Sequence, residues 1–197
     1  MLNKLFKIAI SVLLLTGGIW FLYLNSQKGE QREPDNEPVE EIARHELELT
    51  DQGLVYKTSK HPFTGKALEY HQDGTKSVSM SVVSGKVHGV TEAWHENGQL
   101  ESREFFKSGL SEGIRTRWYE TGQKRSHART VAGKLDGEYT KWYPSGKIAQ
   151  QATMIDGEAH GESKSWYEDG TLKSSVTLNH GKVVQARYYD ALGVLKK

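Results

Sequence analysis

Histidine is the residue type in this sequence with the widest chemical range, because an imidazole can bind a metal ion or transfer a proton near neutral pH. The chain has eight histidines and no cysteine. Two pairs are separated by multiples of 24 residues, His71 with His95 and His88 with His160, which indicates a repeated structure rather than a site. The motifs of zinc proteases, serine hydrolases and phosphate-binding loops are missing, and the lack of cysteine excludes thiolate chemistry. We therefore predict no catalytic residue, no metal site and no cofactor.

Charge singles out one stretch of the chain as a candidate binding surface. Over the whole chain 26 basic residues balance 25 acidic ones, so a protein that coats nucleic acid is not expected. Between Gly113 and Asp136, however, six basic residues oppose only two acidic ones. The basic residues are Arg115, Arg117, Lys124, Arg125, Arg129 and Lys134. They could face an acidic protein surface, a phosphate or a lipid headgroup, or form an ordinary solvated face, and both interpretations stay open.

Glycine spacing defines the elements that must position these residues. From residue 65 to residue 181 every glycine falls into one of three columns with a spacing of 24 residues. The columns are Gly65, Gly89, Gly113, Gly137 and Gly161; Gly74, Gly98, Gly122, Gly146 and Gly170; and Gly85, Gly109, Gly133, Gly157 and Gly181. Gly193 lies one residue short of the second column. A fixed period of roughly 20 to 50 residues is typical of a solenoid, propeller or linear array.

Each repeat is predicted to be a β-hairpin. Two extended runs are separated by a tip that ends in glycine, and the five tips read QDG, ENG, ETG, PSG and EDG. Asp, Asn and Gly tolerate the positive φ angles of short hairpin turns. The fold class is therefore all-β, an elongated single-layer array of 24-residue hairpins.

An aromatic pair precedes each hairpin tip. The pairs are Tyr70-His71, Trp94-His95, Trp118-Tyr119, Trp142-Tyr143 and Trp166-Tyr167. Because neighbouring residues of a strand face opposite sides, we predict that the tryptophans pack in the core or stack across strands and that the tyrosines lie on the other face. Tyrosine is favoured at interfaces. The predicted binding residues are Tyr119, Tyr143, Tyr167, Arg115, Arg117, Arg125 and Arg129.

These patterns resemble the MORN-variant repeats of bacterial proteins that are often labelled YwqK-type antitoxins. The resemblance rests on WY-x-x-G followed by a second strand and by GKVHG (85–89), GKLDG (133–137) or GEAHG (157–161). Segment 53–67 also resembles the lead-in of such proteins, and the likeness covers about three quarters of the chain. It implies a scaffold that binds lipid, a second copy or a partner. Choline-binding cell-wall modules share the aromatic hairpins but have shorter repeats, and they stay a rival interpretation.

The amino-terminal segment predicts membrane targeting. Residues 8–24 form a run of seventeen residues without a charge, behind Lys4 and Lys7. No small-x-small cleavage site follows, and three aromatic residues cluster at its end: Trp20, Phe21 and Tyr23. These features favour a retained transmembrane helix over a cleaved signal peptide, which stays the alternative. The positive-inside rule then places the array outside the cytoplasm, on a bacterial inner or cytoplasmic membrane that the chain crosses once.

The predicted organisation is a signal-anchor or signal peptide (1–24), an acidic flexible linker (25–48), a lead-in (49–64), repeats 65–88, 89–112, 113–136, 137–160 and 161–184, and a cap (185–197). We expect a non-enzymatic, membrane-anchored scaffold that binds a protein partner. The alternatives are an antitoxin or immunity protein that masks a toxin, and a module that binds a cell-wall polymer or phospholipid headgroup. After signal cleavage the array would be secreted or periplasmic.

Overall fold

The computed structural model describes residues 39–196. The predicted amino-terminal helix over 8–24 lies outside the described residues. Within the described part of the chain, no helix is long and apolar enough to cross a membrane. The all-β prediction is confirmed, since a single short 3-10 turn at Arg44–Glu46 is the helical segment among the described elements.

Thirteen strands form one large sheet and two strands form a small one. The lead-in begins earlier than predicted and covers residues 41–64, which contribute β1 (Glu41–Ala43), β2 (Leu47–Thr50) and β3 (Gly53–Tyr56). The array contributes β4 (Gly65–Tyr70), β5 (Lys76–Val83), β6 (Lys86–Trp94), β7 (Leu100–Lys107), β8 (Leu110–Ser111), β9 (Gly113–Trp118), β10 (Lys124–Val131), β11 (Lys134–Trp142), β12 (Ile148–Ile155), β13 (Glu158–Trp166), β14 (Leu172–Asn179) and β15 (Lys182–Tyr188). The array strands pair antiparallel in sequence order, except that β7 pairs with both β8 and β9 and the order continues from β9. β1 adds to β4 in parallel, and β2 pairs with β3.

Each repeat has two turns rather than one, at opposite edges of the sheet. The wide turn is the predicted tip: the Tyr119 N–H donates to Gln123 O, the Gly122 N–H donates to Tyr119 O, and Gly122 has φ 79°. The tight turn has only two residues, Ala132 and Gly133, both with positive φ. Two consecutive positive φ angles are typical of the type I′ turn, whose twist matches that of the strands.

The tight turns of successive repeats are bonded to one another. The Gly133 N–H donates to Ser111 O of the preceding repeat at 2.8 Å. The same bond recurs from Gly85 to Phe63, Gly109 to Val87, Gly157 to Leu135 and Gly181 to Ala159. In an isolated type I′ hairpin the second turn residue gives its N–H to water, so this bond exists because the repeats stack.

The compact hydrophobic core lies in the lead-in and the first repeat. Phe63, Leu47 and Val82 are at most 2% exposed and pack together. We expected residues 25–48 to be a flexible linker, but from Glu41 onward they form β1, the 3-10 turn and β2. Leu47 is the reason, because its side chain is buried in the hydrophobic core and burial of apolar surface favours an ordered segment. The acidic composition averaged over 25–48 did not indicate this.

Beyond the first repeat the sheet is one layer thick and its large side chains stay partly wet. The tryptophans, which were predicted to pack in the core or to stack across strands, are all half-buried: Trp94, Trp118, Trp142 and Trp166. Alternate strand positions define two faces. Residues that pair directly across strands share a face, which lets us follow rows of side chains along the array.

The last strand departs from the repeat. Val176 pairs with Ala186 and Leu178 with Val183, so only Val184 and Gln185 lie between these two partners on β15. The equivalent strands of other repeats have three intervening residues, and one of the three is a glycine. β15 is exposed along its length, and the chain folds back on its end, where Lys196 N–H donates to Tyr188 O.

Deleting residues 113–136 should leave a folded array of lower stability. The deletion removes one wide and one tight turn together, so every remaining strand keeps its direction and its edge, and about one interface between neighbouring repeats is lost. Deleting only 113–124 removes β9 and its turn, so wide and tight turns no longer alternate and the later strands lose their register. Circular dichroism should show a cooperative melt for the first variant and none for the second. Equal melts would contradict the two-turn repeat.

Candidate functional site

A ladder of side chains links the wide turns of successive repeats. The residue after each strand-ending aromatic donates to a backbone carbonyl of the next repeat, as in Tyr119 Oη to Trp142 O and Tyr143 Oη to Trp166 O, both at 2.7 Å. The other members bond in the same way: His71 to Trp94 O, His95 to Trp118 O and Tyr167 to Tyr189 O. We call these five residues the aromatic ladder. Since a carbonyl only accepts, the Nε2 of each ladder histidine carries the hydrogen.

The ladder gives the predicted tyrosines a structural role. Tyr119, Tyr143 and Tyr167 are half-buried, and each hydroxyl is already hydrogen-bonded within the array. Each opens a wide turn, and its backbone is held by the turn's own bonds. The rings are therefore fixed walls, and their contact with a partner stays a prediction.

Two of these walls border a cleft. The cleft has a volume of about 250 Å³ and is lined by Tyr119, Lys141, Tyr143, Ala149, Gln150, Ser165, Trp166 and Lys173. Its floor follows the pairs Lys141–Gln150 and Gln150–Ser165 across β11, β12 and β13. The Lys173 ammonium lies 5.4 Å from the centre of the Tyr167 ring, so one rim carries an ordered cation.

The same face continues into the preceding repeat. Arg117 pairs with Ser126 and Ser126 with Lys141, so both cations belong to the row that forms the cleft floor. Both side chains are exposed, and neither forms an ion pair within residues 39–196. Arg125 occupies the repeat position of the cleft residues Ala149 and Lys173. We define the basic trough as Arg117, Arg125, Lys141 and Lys173 with the rings of Tyr119, Tyr143 and Trp166.

The structure separates the predicted arginines. Arg129 pairs with Ile114, an odd number of residues from Arg117 on its strand, and therefore lies on the opposite face. Arg115 shares the face of Arg117, but its guanidinium lies 3.8 Å from the Glu104 carboxylate. The basic residues of 113–136 thus lie on both faces of the sheet, and only some of them belong to the trough.

Arg115 belongs to a polar network inside the sheet. Ser111 Oγ donates to Glu104 and lies 2.7 Å from Thr130 Oγ1, which donates to Gly113 O. Ser111 and Thr130 are buried, so these hydrogen bonds avoid the cost of unpaired polar groups. The network satisfies the charge of Arg115, which leaves Arg117 as the freer cation of this pair.

Several cleft residues were not predicted from the sequence, because the charge signal is concentrated in residues 113–136 and these residues lie outside that repeat: Lys141, Gln150, Ser165, Trp166 and Lys173. The signal was present in the repeat alignment. Lys141 lies 24 residues after Arg117, and Lys173 lies 48 residues after Arg125.

Carboxylates at two wide turns serve the backbone. Hydrogen bonds from the Thr75 hydroxyl and N–H lower the pKa of Asp73, and the Thr171 N–H and hydroxyl lower the pKa of Asp169. Asn97 accepts the equivalent N–H bond, from Gln99, without a charge. These residues shape the turns and are not part of the trough.

The remaining histidines form no metal centre in the described chain. The His160 and His180 rings lie 4.9 Å apart, edge to face, and Glu158 is 3.9 Å from His180. Across residues 39–196 no group of three or more His, Cys, Asp or Glu side chains is placed to hold a metal ion.

Three stretches of the chain match a family model described as the MORN repeat variant, at residues 87–108, 135–156 and 159–180. Each begins two residues after a tight-turn glycine and ends on the first residue of the next tight turn. The matches cover about a third of the chain and contain Lys141, Trp166 and Lys173, whereas Arg117 and Arg125 lie between them. MORN repeats are a non-catalytic class that generally binds proteins or membranes. No curated protein matches the chain.

Replacing Tyr143 by Phe should destabilise the array, because it removes the hydroxyl that bonds to Trp166 O. The expected loss in the free energy of unfolding is about 0.5 to 1.5 kcal/mol. Tyr139→Phe is the matched control, since Tyr139 lies within β11 and outside the ladder. Urea unfolding monitored by circular dichroism compares the two variants. A loss of equal size in both, or none in Tyr143→Phe, would show that the ladder bond adds nothing to stability.

Proposed function

We propose that this protein is a non-catalytic scaffold that binds a protein partner through the basic trough, with segment 8–24 anchoring the chain in a membrane and the array outside the cytoplasm. The observation that carries the binding proposal is the trough itself, where exposed cations lie beside rings that the array already holds in place. The anchor rests on the uncharged run and its flanking lysines.

Preorganisation supports a binding role. A side chain that is fixed before association loses little conformational entropy when a partner arrives. The ladder bonds fix the Tyr119 and Tyr143 rings, and Lys141 and Arg117 have no acidic partner of their own in the described chain. Aromatic residues and arginine are the types that most often dominate binding energy.

The chemistry of the cleft favours binding over catalysis. Its lining consists of lysine, tyrosine, glutamine, serine, alanine and tryptophan side chains. The Ser165 hydroxyl is 2.7 Å from the hydroxyl of Ser174 rather than from a general base. A serine without an adjacent base is a weak nucleophile at neutral pH.

An antitoxin is a narrower form of the same proposal. Neutralisation by masking is binding to one particular protein, and the resemblance of the repeats to YwqK-type proteins supports it. A phospholipid headgroup or an anionic wall polymer would use the same cations, and the experiment below separates these partners by the kind of molecule captured.

Photocrosslinking from two adjacent glutamines tests the proposal in the full chain. Gln150 pairs with Lys141 and Ser165 on the trough face, whereas Gln151 pairs with Thr140 and Lys164 on the opposite face. With p-benzoylphenylalanine introduced at one position at a time in the native cells, position 150 should yield a discrete protein adduct several-fold more strongly than position 151.

Equal adducts from both faces would reject the trough as the binding surface. Adducts at position 150 with lipid or wall polymer and no protein would reject a protein partner. The two variants replace the same residue type on the same strand. Comparing their melting curves shows whether a difference in crosslinking yield comes from a difference in folding.

A further inference from the structure

We infer that the basic trough recognises an acidic segment in the polyproline II conformation, with an acidic side chain at every third residue. This inference rests on the proposed function and names the chemistry of the partner. It follows from the charge of the trough, the spacing of its repeats and the nature of its walls.

The charge of the trough requires an anionic ligand. The row through Arg117 and Lys141 continues with Gln150 and Ser165, which are neutral. In the adjacent row the acidic side chain is Glu104, and Arg115 and Ser111 already engage it. Unpaired cations beside a low-dielectric ring surface favour carboxylates that can hydrogen-bond to them.

Spacing selects the conformation of that ligand. One repeat advances two strands, so equivalent side chains such as Arg117 and Lys141 are separated by about 9.6 Å along the sheet. A polyproline II helix places every third side chain on the same side, at about 9.3 Å per turn. One turn of such a ligand therefore matches one repeat, and the mismatch stays below roughly 1 Å over three repeats.

Other polymers fit this spacing less well. Side chains on one face of a β-strand recur at about 6.6 to 6.8 Å, which cannot meet successive cations of the row. Single-stranded nucleic acid gains much of its affinity by stacking bases on ring faces. Here the rings are half-buried by their ladder bonds, and the Lys173 ammonium lies over the face of Tyr167.

The walls and floor fit proline and a free peptide backbone. Proline-rich segments bind in grooves lined by aromatic rings, and their backbone has no internal hydrogen bonds. Tyr119 and Tyr143 recur with the same repeat as the cations, so prolines can pack between rings while acidic residues meet Arg117 and Lys141. The Gln150 amide on the floor can bond to the exposed peptide groups.

The test uses the full-length protein in detergent micelles and the peptide acetyl-(Glu-Pro-Pro)4-amide, measured by isothermal titration calorimetry. We expect this peptide to bind. An isomer of the same composition, in which the glutamates stand in adjacent pairs instead of at every third residue, should bind at least several-fold more weakly. The variant Arg117→Gln/Lys141→Gln should weaken binding by roughly two- to thirtyfold, the effect of losing two exposed charge pairs.

A matched control lies on the opposite face. Lys164 and Arg187 both pair with Ser175, so they are also two strands apart and also one lysine and one arginine. Lys164→Gln/Arg187→Gln changes the net charge equally and should leave the affinity within about twofold. The charge-reversed variant Arg117→Glu/Lys141→Glu should instead bind acetyl-(Lys-Pro-Pro)4-amide.

Equal affinity for the two glutamate peptides would overturn the spacing argument. Equal weakening of peptide binding by both double glutamine variants would show that binding depends only on net charge and would overturn the trough as the binding site. Preference for oligothymidylate, or for phosphatidylglycerol added to the same micelles, over the peptide would overturn the inference in favour of another polyanion. If no peptide binds while position 150 still crosslinks to protein, the acidic segment is rejected and the proposed function stands. Failure of both measurements rejects both.

Discussion

A sheet that is one layer thick has no second layer against which to bury its side chains. In this array the constraint is met at the edges, where every repeat bonds to the one before it. At one edge a tight-turn N–H, such as that of Gly133, donates to a carbonyl of the preceding repeat. At the other edge a ladder side chain, such as Tyr143, donates to a carbonyl of the following repeat. The cluster of buried apolar side chains lies in the lead-in and the first repeat, around Phe63.

Because the bonds between repeats lie at the edges of the sheet, a binding surface can arise on the strands between those edges. The turn glycines and ladder residues are required by the geometry of stacking, while the strand positions between them tolerate different side chains. One such position holds Arg117, Lys141 and Ser165 in three successive repeats. Charge can therefore change along the array while the backbone stays the same, and a regular backbone presents its cations at a regular spacing. The trough is therefore formed by the side chains at variable strand positions, on a backbone that all repeats share.

Much of the backbone structure could be predicted from the sequence, because the turns require glycine at fixed positions and the glycine spacing is visible in the sequence. The 24-residue columns and the tips at residues such as Gly122 led directly to antiparallel hairpins. The tight turn was less visible, since its first residue varies widely in type and includes Ala132 with φ 49°. The place of Leu47 in the core was hidden by the acidic residues around it. A composition average cannot show which single apolar residue finds a buried place.

The candidate site could be predicted only in part, because sequence proximity does not decide which face a strand residue takes. Arg117 and Arg125 were identified, but Arg129 lies on the other face and Arg115 is held by Glu104. The hydroxyl bonds of the tyrosines depend on the distance between repeats, which no residue pattern specifies. Once that distance is known, His71 and His95 are explained as ladder members that replace tyrosine.

Stacking of the repeats is the central claim, and amide hydrogen exchange measured by NMR tests it most directly. The informative signals are the N–H groups of Gly109, Gly133, Gly157 and Gly181, which an isolated two-residue hairpin would leave open to water. Because each one bonds to the preceding repeat, we expect all four to be protected, as strongly as the N–H groups in the strands beside them. Exchange of these four amides at the rate of an unstructured peptide, with the strand amides still protected, would show independent hairpins and contradict the stacked array.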